Sequence, residues 1–447
     1  MRRCLLIALL PLLAAPTVQA QQDTTRLPPG VELATRYTMR GRHLLAVKPL
    51  GGAQAIDQLR TLVTGIVEND LALSDRFEML PVPQSLASGS VDYAQWNGLN
   101  VVFVVAGELI VTAAGYDLHL EVHDIPLGQL RHTATFQLPV ATAPGFRMAA
   151  HAVSDQIVQW ITGQPGMAAT RIAYVRQNPN HTYDLLMVDS DGENLRRIFG
   201  ADRIYSPTWS PDGQRLTYAQ AGSAGAWQLV ERDLASGSST VFHEAQLIMT
   251  PSYSPDGRKI AFAAQLPGGM EIHDYDVERG CCLRRLTDSN GDNVSPTYSA
   301  DGSQIAFHSS RTGRQHIYVA PAEGGNARLI SPLGQRVEYY APDWSPTANA
   351  VTFHGRSRGY FQLMLADPSR SGSQVQQLTS SGRNEDPSFA PDGRHIVYTG
   401  GAGRNEGLYV IDTVTGRIRQ LVAGGGLRLA DWSPTLARAA GTASGGN

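Results

Sequence analysis

The sequence predicts a mainly β protein in which a small α/β domain precedes a six-bladed β-propeller of four-stranded blades. Three observations predict this architecture. A Pro-x-aromatic-Ser-Pro-Asp-Gly motif recurs about every 45 residues in the C-terminal part of the chain, and that period is typical of propeller blades. Before the repeats, strand-like and helix-like apolar patterns alternate. The 45 Gly and 26 Pro follow no fixed short period, which favours many tight turns.

Length and charge limit the classes of function. The 447 residues exceed what one core normally holds, so two domains are expected. The 37 Lys and Arg do not exceed the 40 Asp and Glu, whereas a nucleic-acid partner would require a basic excess. Since a polybasic tract is also missing from the sequence, we expect neither nucleic acid nor anionic lipid as a partner.

The first 20 residues have the pattern of a secretory signal peptide. Arg2 and Arg3 precede an apolar run over residues 5–15, and Val18-Gln19-Ala20 fits a cleavage site before Gln21. The apolar run is shorter than the roughly 20 residues of a membrane span. The mature protein is therefore expected to be exported without membrane insertion, and Cys4 lies too early to anchor a lipid at the cleavage site.

The small α/β domain is predicted over residues 37–163. Apolar runs predict strands at residues 44–47, 101–105 and 116–123, and helical spacing predicts helices over residues 54–73 and 146–161. A Gly-Gln-Pro-Gly break at residues 163–166 ends the domain, and residues 164–170 form a linker.

One strand of this domain carries a candidate metal site. His119, Glu121 and His123 share the polar face of the strand at residues 116–123, and imidazoles at this spacing could share a zinc ion. Any sheet with one solvated face shows the same alternation. We favour the solvated face, and we expect no metal and no cofactor.

The repeated motif has a conformational role. Pro presets φ for a turn, Asp bonds neighbouring backbone N–H groups, Gly supplies a positive φ, and the aromatic residue packs between sheets. The copies begin at Pro207, Pro251, Pro296, Pro342 and Pro387. An Asp that recurs in almost every blade is scaffold, because a catalytic site is singular. In the fourth copy Thr347-Ala348 replace Asp-Gly, so a different turn is expected there.

The ends of the repeat region predict the blade number. Residues 430–434 begin a sixth copy and stop, while residues 171–175 match the strand that would follow it. Pairing these segments completes a sixth blade, closes the ring and removes exposed sheet edges. The propeller is therefore predicted over residues 171–436, with residues 437–447 as a flexible tail.

The adjacent Cys281 and Cys282 allow two interpretations. They are either ordinary strand or turn residues, which we favour, or a strained vicinal disulfide with a redox role. Neither interpretation provides the spaced pairs of a disulfide framework.

The order of these features resembles the TolB family, periplasmic propeller proteins of the Tol-Pal envelope system. The resemblance rests on the signal peptide, the small α/β domain, a helix with His151 and Asp155, the strand Arg171-Ile172-Ala173-Tyr174-Val175 and a terminal Trp432-Ser433-Pro434. It covers nearly the whole mature chain. Taken alone, His151 and Asp155 are one helical turn apart and would form an exposed pair.

The resemblance implies a monomeric adaptor with two protein partners. In this family the peptidoglycan-associated lipoprotein Pal docks on one propeller mouth, against loops that precede the motif strands. The corresponding positions here are Tyr205, Leu247, Thr250, Val294, Tyr339, Tyr340, Glu385 and Asp386. Exposed aromatic and apolar side chains around such a rim are favoured at interfaces.

The second implied partner is TolA, which the family engages through an N-terminal segment, here within residues 21–36. The segment adds a strand to a partner's sheet. The corresponding positions are Val31, Glu32, Leu33, Ala34 and Thr35. Arg36 and Arg40 stand where the family commonly has acidic residues, and a ten-residue leader precedes the segment.

A periplasmic hydrolase is the alternative. Residues 355–359 match the Gly-x-Ser-x-Gly pattern around Ser357, but a nucleophile elbow needs a helix behind it, and a blade hairpin is predicted there. A metal-dependent lactonase with channel ligands is the second form of this alternative. Residues 288–292 superficially resemble a calcium loop, but they have no Gly at the position that such a loop requires and no distal Glu, so a polar turn is predicted. We therefore expect no enzyme activity.

Overall fold

The structure, a computed structural model, describes residues 31–33, 42–222, 225–266, 269–333, 337–357, 359–370, 374–439 and 441–443. The predicted signal peptide and the leader at residues 21–30 lie outside the described residues, as do Ala34, Thr35, Arg36 and Arg40. In the described part of the chain, no helix is both long and apolar enough to cross a membrane.

The N-terminal domain is one sheet with helices on both faces. The helices are α1 (Asp57–Leu73), α2 (Tyr93–Gly98) and α3 (Phe146–Thr162), with short 3-10 turns at Gln54–Ile56 and Gln84–Leu86. The strands are His43–Val47, Gly51–Gly52, Phe77–Met79, Phe103–Thr112, Gly115–Asp124 and Gln129–Pro139. The apolar stripes of α1 and α3 pack on one face of the sheet, as their spacing predicted. The hairpin strand Gln129–Pro139 and α2 were not predicted.

The C-terminal domain is a propeller of six four-stranded blades, as predicted. Blade 1 contains Ile204–Trp209, Arg215–Ala221, Trp227–Asp233 and Ser239–Ala245. Blade 2 contains Ile248–Tyr253, Lys259–Leu266, Gly269–Asp276 and Cys281–Arg285. Blade 3 contains Asn293–Tyr298, Gln304–Ser309, His316–Pro321 and Arg328–Leu329. Blade 4 contains Tyr339–Trp344, Val351–Ser357, Tyr360–Ala366 and Val375–Gln377. Blade 5 contains Arg383–Phe389, His395–Gly401, Gly407–Asp412 and Ile418–Ala423, with a 3-10 turn at Gly403–Asn405.

Blade 6 closes the ring with strands from both ends of the propeller. Its strands are Arg171–Gln177, Tyr183–Asp189, Arg196–Ala201 and the C-terminal Leu427–Trp432. The last of these pairs antiparallel with the first, with Trp432 opposite Ile172. The Trp432 indole donates a hydrogen bond to the Thr170 hydroxyl at 2.7 Å. The predicted closure is confirmed.

The repeated motif forms the tight turn that its residues predict. In blade 1 the Asp212 carboxylate accepts hydrogen bonds from the Ser210 hydroxyl and the Gln214 N–H, and Gly213 has φ 69°. The motif aromatics of all six blades, 5–7% exposed, pack between sheets. In blade 4, Thr347 and Ala348 form a bend capped by the Ser345 hydroxyl oxygen, so a different turn does occur there.

Each terminus adds a strand to the other domain. Val31–Leu33 pairs in parallel with the outer strand Val375–Gln377 of blade 4. Gly441–Ala443 pairs with Gln129–Pro139 in the N-terminal sheet. In the first part of the segment predicted as a flexible tail, Ala437 and Ala439 pack near Met148 and Ala152 of α3, because the chain crosses the domain interface after closing blade 6.

The two domains are joined by buried charges. His395 of blade 5 is fully buried, with Nδ1 2.7 Å from Asp392 Oδ2 and Nε2 3.6 Å from Asp75 Oδ2 of the N-terminal domain. Burial lowers the pKa of His395, but Asp392 and Asp75 outweigh burial and raise that pKa to about 9. Arg417 pairs with the same Asp75 at 2.9 Å. An imidazolium at position 395 therefore bridges carboxylates of both domains.

A second buried histidine occupies the same interface, and it corrects the expectation of an exposed His151–Asp155 pair. His151 is fully buried, with Nδ1 2.8 Å from Asp70 Oδ2 and Nε2 3.9 Å from Asp191 Oδ2 in blade 6. Asp155 instead accepts hydrogen bonds from the Ala168 and Ala169 N–H groups at the domain junction. Both side chains turn inward because α3 lies between the sheet and the propeller.

The interface leaves one propeller mouth uncovered. The inner strand of blade 5 runs from Arg383 to Phe389, and the turn that follows it holds Asp392, which contacts the N-terminal domain. The opposite ends of the inner strands, where the segments preceding the motif lie, face away from that domain.

Candidate functional site

The starts of the six inner strands surround a cavity of about 690 Å³ at the uncovered mouth. This size lies within the range of roughly 300–1,000 Å³ for small-ligand pockets. Side chains from all six blades line it. The cavity is therefore as large as a typical ligand pocket.

A left-handed bulge in every blade shapes this mouth. The residue immediately before the motif has φ between 45° and 56° in all six inner strands, and the strand register shifts there. These residues are Ser206, Thr250, Ser295, Ala341, Asp386 and Leu429, and all of them line the cavity. Such bulges re-aim side chains, and non-glycine residues in this region of φ are concentrated at functional sites. The sequence reading missed this feature because none of the six is Gly or Asn.

Six of the eight side chains proposed for Pal contact line the cavity: Tyr205, Thr250, Val294, Tyr340, Glu385 and Asp386. Tyr339 does not belong with them. It is fully buried and packs edge-on against Phe353 inside blade 4, because alternation along the strand turns it to the side opposite the half-buried Tyr340. Leu247 is half-buried against the core between blades 1 and 2 and does not line the cavity.

Part of the cavity wall is formed by aromatic rings and by two histidines, His308 and His354, that were not predicted from the sequence. Tyr340 stacks on His354 at 5.6 Å and lies edge-on to His308 at 5.5 Å. On the other side, Tyr205 packs against Tyr183 and Trp227. The histidines follow the aromatic of the second strand in blades 3 and 4, where the other blades have Ala219, Ala263, Thr399 and Val175.

The floor of the cavity holds a hydrogen-bonded chain from blade to blade. In blades 3 to 6 the second motif residue accepts a hydrogen bond from the N–H of the motif aromatic in the next blade, as Asp343 does from Phe389 at 2.7 Å and Asp431 from Trp209 at 2.8 Å. Burial raises the pKa of Asp343 to about 6 and, together with repulsion from Asp343, that of Asp431 to about 7. These carboxylates join the blades and make the floor acidic.

The rim carries both signs of charge. Glu385 pairs with Arg383 at 2.9 Å, and the Arg428 guanidinium donates to Gln177 Oε1 at 2.6 Å. Burial, and then repulsion from Glu385, raise the pKa of Asp386 to about 6. The opening therefore has a rim of mixed charge around an aromatic wall and a floor with carboxyl groups, and a polar rim of this kind is common at protein interfaces.

The metal-site candidates of the N-terminal sheet bond to neighbouring side chains, and His123 is buried rather than on a solvated face. Glu121 lies between His123 and His119, 2.9 Å and 3.6 Å from their Nε2 atoms, and His123 also bonds the Tyr93 hydroxyl. Among the residues that the structure describes, two histidine–carboxylate groups have metal-like spacing, Asp70/His151/Asp191 and Asp75/His395/Asp412. Arginines already pair with carboxylates in both, which favours ion pairs over a metal site.

Ser357 and the adjacent cysteines were the remaining candidates. Ser357 ends the strand Val351–Ser357, and the next strand begins at Tyr360, so the segment is a hairpin rather than a strand–helix elbow. Cys281 and Cys282 are exposed in the outer strand of blade 2 and are joined by a disulfide. The favoured interpretation as unlinked strand residues is therefore wrong, although they do lie in a strand.

A family model of the TolB β-propeller domain matches residues 158–436, more than half of the chain. The chain belongs to the TolB family. A model of the TolB amino-terminal domain also matches residues 37–130.

Relatives and a solved structure agree with this membership. The chain is 37% identical over 161 residues to the Tol-Pal system protein TolB of Methylococcus capsulatus, which is 34% of this chain and 37% of that protein. It is 33% identical over 245 residues to the same protein of Actinobacillus pleuropneumoniae, 53% of this chain and 54% of the relative. These matches thus span roughly half or less of each relative. The crystal structure of TolB from Acinetobacter baumannii aligns with a TM-score of 0.77 and 26% identity, over 88% of this chain and 97% of that one.

The described part of the N-terminal segment of this TolB family member, residues 31–33, lies against the propeller. Residues Val31, Glu32 and Leu33 pair with Val375, Gln376 and Gln377. Ala34 and Thr35, the other proposed TolA contacts, lie outside the described residues. The backbone of residues 31–33 is therefore already engaged in strand pairing.

Proposed function

We propose that the chain is a periplasmic component of a Tol-Pal system and acts by binding proteins rather than by catalysis. The observation that carries the proposal is the aromatic cavity at the propeller mouth that the N-terminal domain leaves uncovered. Aromatic anchors in a concave site with a polar rim are favoured at hot spots of protein interfaces. Membership of the TolB family supports the same function.

The partner at the mouth is the lipoprotein Pal. The six cavity-lining positions that the resemblance selected lie on all blades except blade 6 and surround one opening. A loop of Pal enters this opening, and Tyr340 and Tyr205 provide its largest contacts. Binding there joins the chain to the peptidoglycan-bound outer membrane.

The partner at the N-terminal segment is TolA. Residues 31–33 have the extended conformation that adds a strand to a partner's sheet. Because the same backbone groups pair with blade 4, TolA competes with Val375–Gln377 for them. Coupling both partners supports outer-membrane integrity and constriction during cell division.

Capture from solubilised envelopes tests the two partners separately. The mature chain is expected to capture both Pal and TolA, whereas a variant lacking residues 21–36 is expected to keep Pal and lose TolA. A variant lacking residues 444–447 serves as the truncation control and should capture both. Failure of the mature chain to capture Pal would overturn the function at the mouth, and undiminished TolA capture by the variant lacking residues 21–36 would overturn the second assignment.

A further inference from the structure

The cavity wall between blades 3 and 4 carries two buried imidazoles in equivalent positions. His308 and His354 are 8% and 6% exposed, and both line the cavity. They lie on either side of Tyr340, at similar ring distances. The remaining blades have no histidine at this position, so the pair gives one sector of the mouth a distinct chemistry.

Backbone hydrogen bonds determine the tautomer of both rings. The Ala341 N–H donates to His308 Nδ1 at 3.4 Å, and the Asp386 N–H donates to His354 Nδ1 at 3.1 Å. Both donors are the bulge residues of the following blade. Since Nδ1 accepts in each ring, the proton of the neutral imidazole is on Nε2. Each Nε2–H is therefore a donor.

Both donors are free to meet a ligand. Neither Nε2 atom bonds to a described residue, and neither is among the side-chain atoms that are buried without a partner, so both reach the solvent of the cavity. Burial lowers the pKa of His308 to about 4, and burial together with His308 and Arg383 lowers that of His354 to about 3. Both rings are thus neutral at periplasmic pH.

The charged groups around the two histidines favour one kind of hydrogen-bond acceptor on the ligand. Asp386 Oδ1 lies 4.0 Å from His354 Nδ1, Glu385 and Glu406 line the cavity, and Asp343 and Asp431 lie on its floor. Arg383 and Arg428 also line the cavity, but Arg383 already pairs with Glu385 at 2.9 Å and Arg428 already donates to Gln177 Oε1 at 2.6 Å. A carboxylate placed against the two uncharged donors would therefore meet more carboxyl groups than unpaired cations. A carbonyl oxygen would accept the same hydrogen bonds without that repulsion.

We propose that His308 and His354 donate hydrogen bonds to an uncharged carbonyl, from a backbone or carboxamide group, on the protein segment that enters the mouth. The inference rests on the proposed function at this mouth and names the chemistry of the partner's inserted group. Tyr340 provides the apolar contact between the two donors, and the histidines make binding of the inserted segment specific for a polar group.

The test is titration calorimetry of the soluble Pal domain into the mature chain and its H308N/H354N variant. Asn retains an acceptor near the position of Nδ1 for the bulge N–H but does not reach as far as Nε2. The variant is expected to bind about 10- to 100-fold more weakly, the loss of two net hydrogen bonds. Its thermal midpoint should stay near that of the parent chain. His181→Asn, which changes an exposed histidine that does not line the cavity, is the control and should bind as the parent does.

The outcomes separate this inference from the proposed function. No binding by the parent chain overturns both. Parent binding with an unchanged H308N/H354N affinity overturns only the histidine assignment. The dissociation constant of the variant divided by that of the parent should stay constant between about 0.05 M and about 0.5 M salt. If this ratio falls as the salt concentration rises, the bound group is a carboxylate, and the assignment of a carbonyl is overturned. Nitrogen NMR of the free chain should show both rings neutral with the proton on Nε2, and any other protonation state also overturns the inference.

Discussion

A chain that ends at Gly426 will lose the cooperative unfolding of the propeller, whereas a chain that ends at Leu436 will retain it. The first variant lacks the strand Leu427–Trp432, which fills the inner position of blade 6. Leu427, Ala430 and Trp432 are buried there, and removal of the Trp and Leu side chains alone costs more than about 5 kcal/mol. The exposed edge of Arg171–Gln177 would then promote aggregation.

Calorimetry and light scattering of these two variants beside the full mature chain measure the effect. The chain ending at Leu436 is the matched control, because it removes only the segment that crosses to the N-terminal sheet. A sharp transition of the chain ending at Gly426, within a few degrees of the full chain and without scattering, would show that closure by the C-terminal strand is dispensable.

The second large effect is expected from His395→Asn, which removes the cation between Asp392 and Asp75. At pH 7 the loss of one partner from this buried group should cost about 3–5 kcal/mol. The folded-state pKa of His395 is raised to about 9. Its stabilisation is therefore complete below the unfolded value near 6.5 and disappears as the pH rises through about 9.

Thermal midpoints at pH 7 and pH 10 test this pH dependence. The parent chain should lie well above His395→Asn at pH 7, and the difference should shrink at pH 10. His181→Asn is the control: His181 is exposed, and its φ of 63° suits Asn, so no comparable loss is expected. The same difference between parent and His395→Asn at both pH values would exclude a charged His395 as the bridge.

The fold was accessible from sequence because its signals are local and repeated. The turn residues of the motif and the apolar pairs after it predicted blades, and the unpaired residues 171–175 and 430–434 predicted the closure. The pairing of strands that lie far apart in the sequence could not be predicted. Nothing in residues 31–33 specifies an edge in blade 4, and nothing in residues 441–443 specifies the N-terminal sheet. Similarly, the spacing of His151 and Asp155 predicts an exposed pair, because it does not show that His151 meets Asp70 and Asp191, which lie far away in sequence.

The residues of the cavity could be predicted from the sequence only in part. Position relative to the motif located the segments that form the mouth, but alternation along the inner strand decides that Tyr340 faces the cavity and Tyr339 the core. A period-two reading of residues 339–344 would have separated them. The bulges and the roles of His308 and His354 depend on hydrogen bonds between adjacent blades, which no single repeat reveals.

Binding of the soluble Pal domain to Tyr340→Ala, measured by titration calorimetry against Tyr360→Ala, tests the function of the mouth most directly. Both variants lose one tyrosine ring from blade 4, but Tyr340 lines the cavity whereas Tyr360 is 63% exposed on another strand and does not line it. Tyr340→Ala should weaken binding at least about 30-fold, the roughly 2 kcal/mol of a hot spot, and Tyr360→Ala should bind as the parent does. Equal affinities for the parent and a folded Tyr340→Ala would show that Pal does not bind at this mouth.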